Sequence, residues 1–93
     1  VFLSDDYDRR VISAAVAADG SLSDPKLFVE RGEFGVATDA AGNVYVADGE
    51  VLVYGPDGAY KRTIRVPERP ASLTVIGSKL FITARSGVYV HEI

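Results

Sequence analysis

The strongest constraint on the fold is an internal repeat of short strand-like segments. The segment at residues 44–48 (VYVAD) corresponds to residues 1–5 (VFLSD) and to residues 80–84 (LFITA). These segments begin 43 residues apart (1 to 44) and 36 residues apart (44 to 80), and a second strand-like segment follows each of them. A period of roughly 40 residues built from short strands is typical of β-propeller blades. The repeat therefore predicts an all-β fold of antiparallel propeller blades.

The middle copy of the repeat predicts one complete blade in residues 32–67. Its four strands are expected at residues 35–39, 44–47, 51–54 and 59–66. Gly42 and Asn43 tolerate the positive φ of a turn between the first two strands. The segment at residues 56–58 (PDG) suits a tight hairpin between the last two strands.

The two flanking copies predict incomplete blades. Residues 1–31 supply strands at 1–4, 10–17 and 26–30, and residues 68–93 supply strands at 72–76, 79–84 and 87–93. Compared with the middle blade, the first lacks its innermost strand and the last lacks its outermost strand. The sequence thus predicts about two and a half blades, a fragment of a larger propeller. A helix over the alanine-rich residues 11–18 is the alternative there, although so short a helix is marginal.

Composition and charge exclude several classes of function. Hydrophobic residues make up 47% of the chain and charged residues 25%, which is typical of a globular protein. The net charge is −3 and the basic residues are scattered, so no nucleic-acid partner is predicted. No apolar run approaches the roughly 20 residues that span a bilayer, so no membrane partner is predicted either. The lack of cysteine excludes disulfides, thiolate metal sites and a cysteine nucleophile.

Several segments resemble the C-terminal blades of the senescence-marker-protein/gluconolactonase/luciferin-regenerating family of six-bladed propellers. Residues 35–48 (GVATDAAGNVYVAD) and 51–58 (VLVYGPDG) resemble a blade opening and the hairpin that follows it, and NHL-type repeats share both features. Residues 69–72 (RPAS) together with 79–89 (KLFITARSGVY) are similar to the family's last blade. The resemblance implies the C-terminal part of a hydrolase that acts on sugar lactones or related esters. The alternative is a non-enzymatic, NHL-like propeller that serves as a ligand-binding or protein-interaction scaffold.

The resemblance also implies a divalent metal, calcium or zinc, in the full propeller. One metal ligand in the family is an aspartate in a Pro-Asp-Gly-hydrophobic motif before an inner strand, and that motif falls on residues 33–36 (EFGV). Phe34 therefore stands at the ligand position, where a phenyl ring cannot coordinate such a cation. We expect no metal ligand, catalytic residue or cofactor in this segment, and no activity of the segment alone. The neighbouring Glu33 is either a substitute ligand or a solvated loop carboxylate.

Three further residues are ligand-facing candidates, because their loops open on the side where active sites of this family lie. Asp5 belongs to the acidic residues 4–8 (SDDYD), which lack the glycine and distal glutamate of a calcium loop. Asp48 is its counterpart one blade later, and both are expected to stabilise their own turns. Arg85 either holds a carboxylate or phosphate or pairs with a loop acid such as Asp48.

Stacked blades predict burial on both faces of the central strands. The residues expected between blades are Val36, Val44, Val46, Val51, Val53, Ile64, Leu73, Val75, Phe81 and Val88. The strands at residues 1–4 and 87–93 each lack a neighbour and leave backbone groups unpaired. The predicted partners are therefore the remaining blades of the same propeller, or further copies of the chain that associate through these edge strands.

Overall fold

The chain folds into three antiparallel sheets and contains no helix, so none crosses a membrane. A computed structural model describes residues 1–93, with the strands β1 Phe2–Asp5, β2 Arg10–Val16, β3 Leu22–Val29, β4 Val36–Thr38, β5 Val44–Asp48, β6 Glu50–Tyr54, β7 Tyr60–Ile64, β8 Pro70–Ile76, β9 Lys79–Ala84 and β10 Val88–Glu92. The first sheet is ordered β1-β2-β3, the middle sheet β4-β5-β6-β7 and the last sheet β8-β9-β10. Such meanders are the building units of propellers, and the predicted all-β class of antiparallel blades is confirmed.

The alanine-rich segment is a strand, and the helix alternative is wrong. Strand β2 pairs with β1 on one side and with β3 on the other. Strand β3 begins at Leu22, earlier than predicted, because a turn closed by the Ala17 N–H donating to the Ser21 carbonyl (2.8 Å) leads directly into the ladder. The pairing of β2 with β3 shifts its register between Ser13 and Ala15, opposite Pro25. Proline has no N–H to donate to the neighbouring strand, so a shift at this position avoids a missing bond.

Two apolar cores lie between the sheets. One core joins the middle and last sheets and contains Tyr45, Ala47, Val51, Val53, Ile64, Leu73, Leu80 and Ile82. The other core joins the first and middle sheets and contains Val11, Val44, Val46, Leu52 and Tyr54. Strand β5 serves both cores because successive side chains of a strand point to opposite faces. The middle sheet is therefore covered on both sides, as in a stack of propeller blades.

The predicted set of buried residues is mostly correct, and its one exposed member lies in the last sheet. Six of the ten are buried, namely Val44, Val46, Val51, Val53, Ile64 and Leu73. Val36, Val75 and Phe81 are half-buried. Val88 is 67% exposed, and its predicted burial is wrong. Leu80 and Ile82 fill the core, so the alternate residue Phe81 and its cross-strand partner Val90 face away from the middle sheet, as does Val88.

Candidate functional site

Five ionic side chains meet at one end of the three sheets. Arg9 lies in the loop after β1, and Arg31 and Glu33 lie in the connection from β3 to β4. Asp48 ends β5, and Arg69 precedes β8. The start of β4 lies beside the end of β5 because these two strands are antiparallel. The ion pairs of Arg9 and Arg69 with these acids place the loop after β1 and the start of β8 at the same end. We call these five residues the arginine–carboxylate network.

Asp48 is the most firmly held acid of the arginine–carboxylate network. Its Oδ1 accepts a hydrogen bond from Arg9 Nη2 at 2.7 Å, and its Oδ2 accepts from Arg31 Nε at 2.8 Å and from the Gly32 N–H at 3.2 Å. The residue is only 8% exposed. Burial raises the pKa of Asp48, but the donors from Arg31, Gly32 and Arg9 outweigh it and leave the pKa below its ordinary value. The side chain is therefore an ionised anchor for two other loops, and the expectation that it stabilises its own turn is wrong.

Glu33 is the second buried acid of the network. Arg69 donates to both of its carboxylate oxygens, and Arg9 Nη2 lies 3.2 Å from Oε2. The hydrogen bonds from Arg69 lower the pKa of Glu33 below its ordinary value, although burial opposes them. The residue is 8% exposed, so it is not the solvated loop carboxylate that was one expectation. Both oxygens are engaged by guanidinium groups, a geometry that favours an ion-pair role over that of a substitute metal ligand.

Arg9 joins the two acids. Its Nη2 contacts Asp48 and Glu33 together, and its backbone φ of 56° lies in the left-handed region that non-glycine residues rarely adopt. Strained backbone of this kind persists where surrounding contacts fix it. Sequence reasoning missed Arg9, Arg31 and Arg69 as site residues, and their only signal was a position in loops beside acidic residues.

A cavity of about 450 Å³ lies beside the network, between the start of β4 and the last sheet. Its lining consists of Phe34, Glu68, Arg69, Pro70, Ala71, Ala84 and Arg85. Phe34 is 46% exposed, whereas Pro70 is fully buried and forms part of the floor. The structure therefore brings two of the predicted site residues, Phe34 and Arg85, into one cavity.

Arg85 does not pair with Asp48, and that expected alternative is wrong. The cationic partners of Asp48 are Arg9 and Arg31, which reach it from the first sheet and from the connection before β4. Arg85 makes no ion pair with any acid of the chain. Its guanidinium donors are therefore free at the cavity.

Glu68, the acid of the cavity lining, is held by the turn between β9 and β10. Its Oε1 accepts hydrogen bonds from the N–H of Ser86 at 3.1 Å and from the Ser86 hydroxyl, and its Oε2 accepts from the Tyr89 hydroxyl. These bonds, led by that of the Ser86 hydroxyl, lower the pKa of Glu68, and the bond to Glu68 raises the pKa of Tyr89. The carboxylate stays ionised and is turned toward Ser86 and Tyr89.

Asp5 lies apart from the cavity and from the network. Its Oδ1 accepts from the N–H groups of Tyr7 (3.2 Å) and Asp8 (3.3 Å), and Arg10 Nε lies 3.4 Å from its Oδ2. These are the short-range bonds by which aspartate stabilises a turn. Of the predicted site residues, Glu33 and Asp48 share the network, Phe34 and Arg85 share the cavity, and Asp5 joins neither.

The residues at this end of the sheets do not fit a divalent cation. No three His, Cys, Asp or Glu side chains are grouped closely enough to hold one. Phe34 stands where the resemblance places an aspartate ligand, and the neighbouring Glu33 is bound by Arg69 and Arg9. The calcium or zinc that the family implies finds no ligand set here, and this chain's own chemistry at the site is ionic and aromatic.

Three antiparallel sheets stacked face to face, with loops that build a site at one end, define the class of protein as a β-propeller with partial blades. The protein-family model described as "SMP-30/Gluconolactonase/LRE-like region" matches residues 1–86. The chain belongs to this SMP-30/gluconolactonase/LRE-like family, as its blade motifs predicted. No curated protein matches the chain.

Acidification is expected to weaken the arginine–carboxylate network. The folded-state pKa values of Glu33 and Asp48 are depressed, so the stability that they contribute is complete above their unfolded pKa of roughly 4 and is lost as the pH falls through the lower folded values. Asp48→Asn removes the charge and is expected to cost about 1–3 kcal/mol at pH 7. Urea unfolding at pH 7 and at pH 3 should show a smaller acid-induced loss in this variant than in the wild type.

Asp57→Asn is the matched control, because Asp57 is an exposed turn residue that makes no ion pair. It should keep the wild-type dependence of stability on pH. Identical acid dependence in Asp48→Asn and the wild type would show that the ionised Asp48 does not contribute to the pH dependence of stability.

Proposed function

We propose that this chain is the C-terminal part of a gluconolactonase-like propeller hydrolase that acts on sugar lactones or related esters. The family match over residues 1–86 is the observation that carries this proposal. The resemblance of residues 69–72 and 79–89 to the family's last blade supports the C-terminal position. Hydrolysis of a lactone adds water across the ring ester bond and yields a hydroxy acid.

Within that hydrolase, the chain's contribution is structural and binding rather than catalytic. The arginine–carboxylate network ties loops of the first and middle sheets to the segment that enters the last sheet, through Arg9, Asp48, Glu33 and Arg69. Loops fixed in this way hold a binding surface in position without rearrangement when a ligand binds. No residue here has the partners of a nucleophile or a general base.

The chain of residues 1–93 alone is expected to show no metal-dependent lactonase or esterase activity. The physical reason is the lack of a ligand set, with Phe34 at the mapped aspartate position and Glu33 held by arginine. Sugar lactone hydrolysis should be followed with and without calcium or zinc, and the rate should equal that of a blank without protein. Stoichiometric metal binding together with turnover would contradict the mapping of the motif onto residues 33–36.

The hydrolase proposal itself is tested on a polypeptide that contains this chain within a complete propeller. Metal-dependent opening of sugar lactones by that polypeptide is the expected result. No turnover of any lactone or ester, with saturable binding of a ligand at the loop end, would support the second candidate instead.

A non-enzymatic propeller that serves as a ligand-binding or protein-interaction scaffold is that second candidate. Two features favour it: Phe34 at the mapped ligand position, and the engagement of both Glu33 oxygens by Arg69. An ion-paired carboxylate beside an aromatic ring suits the recognition of a ligand better than metal catalysis.

We also propose that further blades of the same propeller cover the two outer faces of the stack. The first sheet presents Leu3 (43% exposed) and Leu27 (53%) on one face, and the last sheet presents Val88 (67%) and Val90 (55%). Each pair lies on the side opposite to the apolar cores, as the strand registers require. Blade-on-blade stacking would remove these side chains from water.

A further inference from the structure

The cavity lined by Phe34 and Arg85 combines an exposed aromatic ring with an unpaired cation. Five other arginines bind carboxylates of this chain, namely Arg9, Arg10, Arg31, Arg65 and Arg69. Arg85 binds none, and a guanidinium carries five N–H donors in a planar fork that matches a carboxylate. Arg85 belongs to the lining of the cavity, and none of its donors is used on an acidic side chain of the protein.

We propose that this cavity binds a small organic monocarboxylate whose body carries an apolar ring. The volume of about 450 Å³ is within the range of small-molecule sites. Phe34, Ala71 and Ala84 supply apolar surface for the body of the ligand. Arg85 supplies the charge-assisted hydrogen bonds for its carboxylate.

The charges around the cavity set the preference for one negative charge. Arg69 donates to Glu33 from Nε and Nη2, so its charge is largely neutralised by that carboxylate. Glu68 also lines the cavity, and although Ser86 and Tyr89 engage its oxygens, it repels additional negative charge. Arg85 is then the one uncompensated cation, which matches a monoanion better than a dianion.

This inference goes beyond the proposed hydrolysis, because occupancy of the cavity needs neither a metal nor turnover. It also differs from the role of the arginine–carboxylate network, whose arginines form ion pairs with the protein's own acidic side chains. A failed lactonase assay therefore leaves it intact, and a failed binding assay leaves the hydrolase proposal intact.

The test is an NMR titration of the folded chain with three probes: phenylacetate, acetate and benzyl alcohol. Phenylacetate carries both an aromatic ring and a carboxylate. Acetate carries the carboxylate without the ring, and benzyl alcohol carries the ring with an uncharged hydroxyl group. Phenylacetate should bind saturably and shift amide signals around residues 34, 69–71 and 84–86. Acetate and benzyl alcohol should each bind at least about tenfold more weakly, since each lacks one of the two interactions.

Two variants locate the site. Arg85→Gln and Phe34→Ala should each weaken phenylacetate binding by about tenfold or more, and Arg85→Lys should restore part of what Arg85→Gln loses. Both positions are exposed, so far-UV circular dichroism should stay unchanged. Arg62→Gln is the control, because Arg62 is exposed, makes no ion pair and lies outside the cavity lining, and this variant should bind as the wild type does. The proposal is overturned if phenylacetate fails to saturate, or if it binds Arg85→Gln and Phe34→Ala as tightly as the wild type.

Discussion

Val46→Asp is expected to unfold the chain. Val46 is fully buried in the core between the first and middle sheets, together with Val11, Val44, Leu52 and Tyr54. It lies on β5, which is paired on both sides by β4 and β6, so the new carboxylate cannot rotate to solvent without breaking the sheet. The change forfeits about 1.5–3 kcal/mol of apolar burial and adds several kcal/mol for an unpaired buried charge. The free energy of unfolding of an ordinary domain is only roughly 5–15 kcal/mol, so a loss of this size is enough to unfold the chain.

The measurement is a thermal melt followed by far-UV circular dichroism. Val16→Asp is the matched control, because Val16 is 58% exposed near the end of β2 and should melt close to the wild type. Wild-type thermal stability in Val46→Asp would contradict the assignment of β5 as the doubly covered strand of a blade.

The chain of residues 1–93, purified alone, is expected to self-associate. Leu3 and Leu27 are exposed on the outer face of the first sheet, and Val88 and Val90 on that of the last. Strand β1 pairs only with β2 and β10 only with β9, so both present unpaired backbone groups. With no further blade in solution, a second copy of the chain is the surface that can cover these groups and side chains. Sedimentation equilibrium should report a dimer or a higher assembly.

Two lysine substitutions test which surfaces carry the association. Leu3→Lys and Val90→Lys place charge on the outer faces without touching either core, and both should shift the equilibrium toward monomer. Tyr7→Lys is the control, since Tyr7 is 92% exposed in a loop away from those faces, and it should associate as the wild type does. A stable monomer at high concentration, with the amides of β1 and β10 protected from exchange, would contradict the prediction.

The middle sheet could be predicted because its information is local. Asp39 accepts hydrogen bonds from the N–H groups of Ala41 (3.0 Å) and Asn43 (2.9 Å), so the turn before β5 is closed by residues within four positions of each other. Gly42 takes the positive φ of 87° that this turn requires. Turns of this kind fix where strands reverse, and the recurrence of strand and turn indicates the propeller class.

The inward face of β9 could not be predicted from its residues. Leu80, Phe81 and Ile82 are consecutive apolar residues, so alternation gives no indication of which face is inward. The packing of the last sheet against the middle sheet buries Leu80 and Ile82 and leaves Phe81 and Val88 on the uncovered side. The predicted burial of Phe81 and Val88 failed because this packing, and not the residue pattern, selects the inward face of the last sheet.

The arginine–carboxylate network likewise depends on the tertiary structure. Arg9 forms a hydrogen bond with Asp48, which lies 39 positions later in the sequence, and Arg69 forms hydrogen bonds with Glu33, which lies 36 positions earlier. No local pattern specifies which cation reaches which acid over such a separation, because the stacking of the sheets sets the distance between their loops. Short-range turn chemistry and the repeat therefore determine the strands and their order, while the packing of one sheet on another decides which side chains are buried, paired or left free at the cavity.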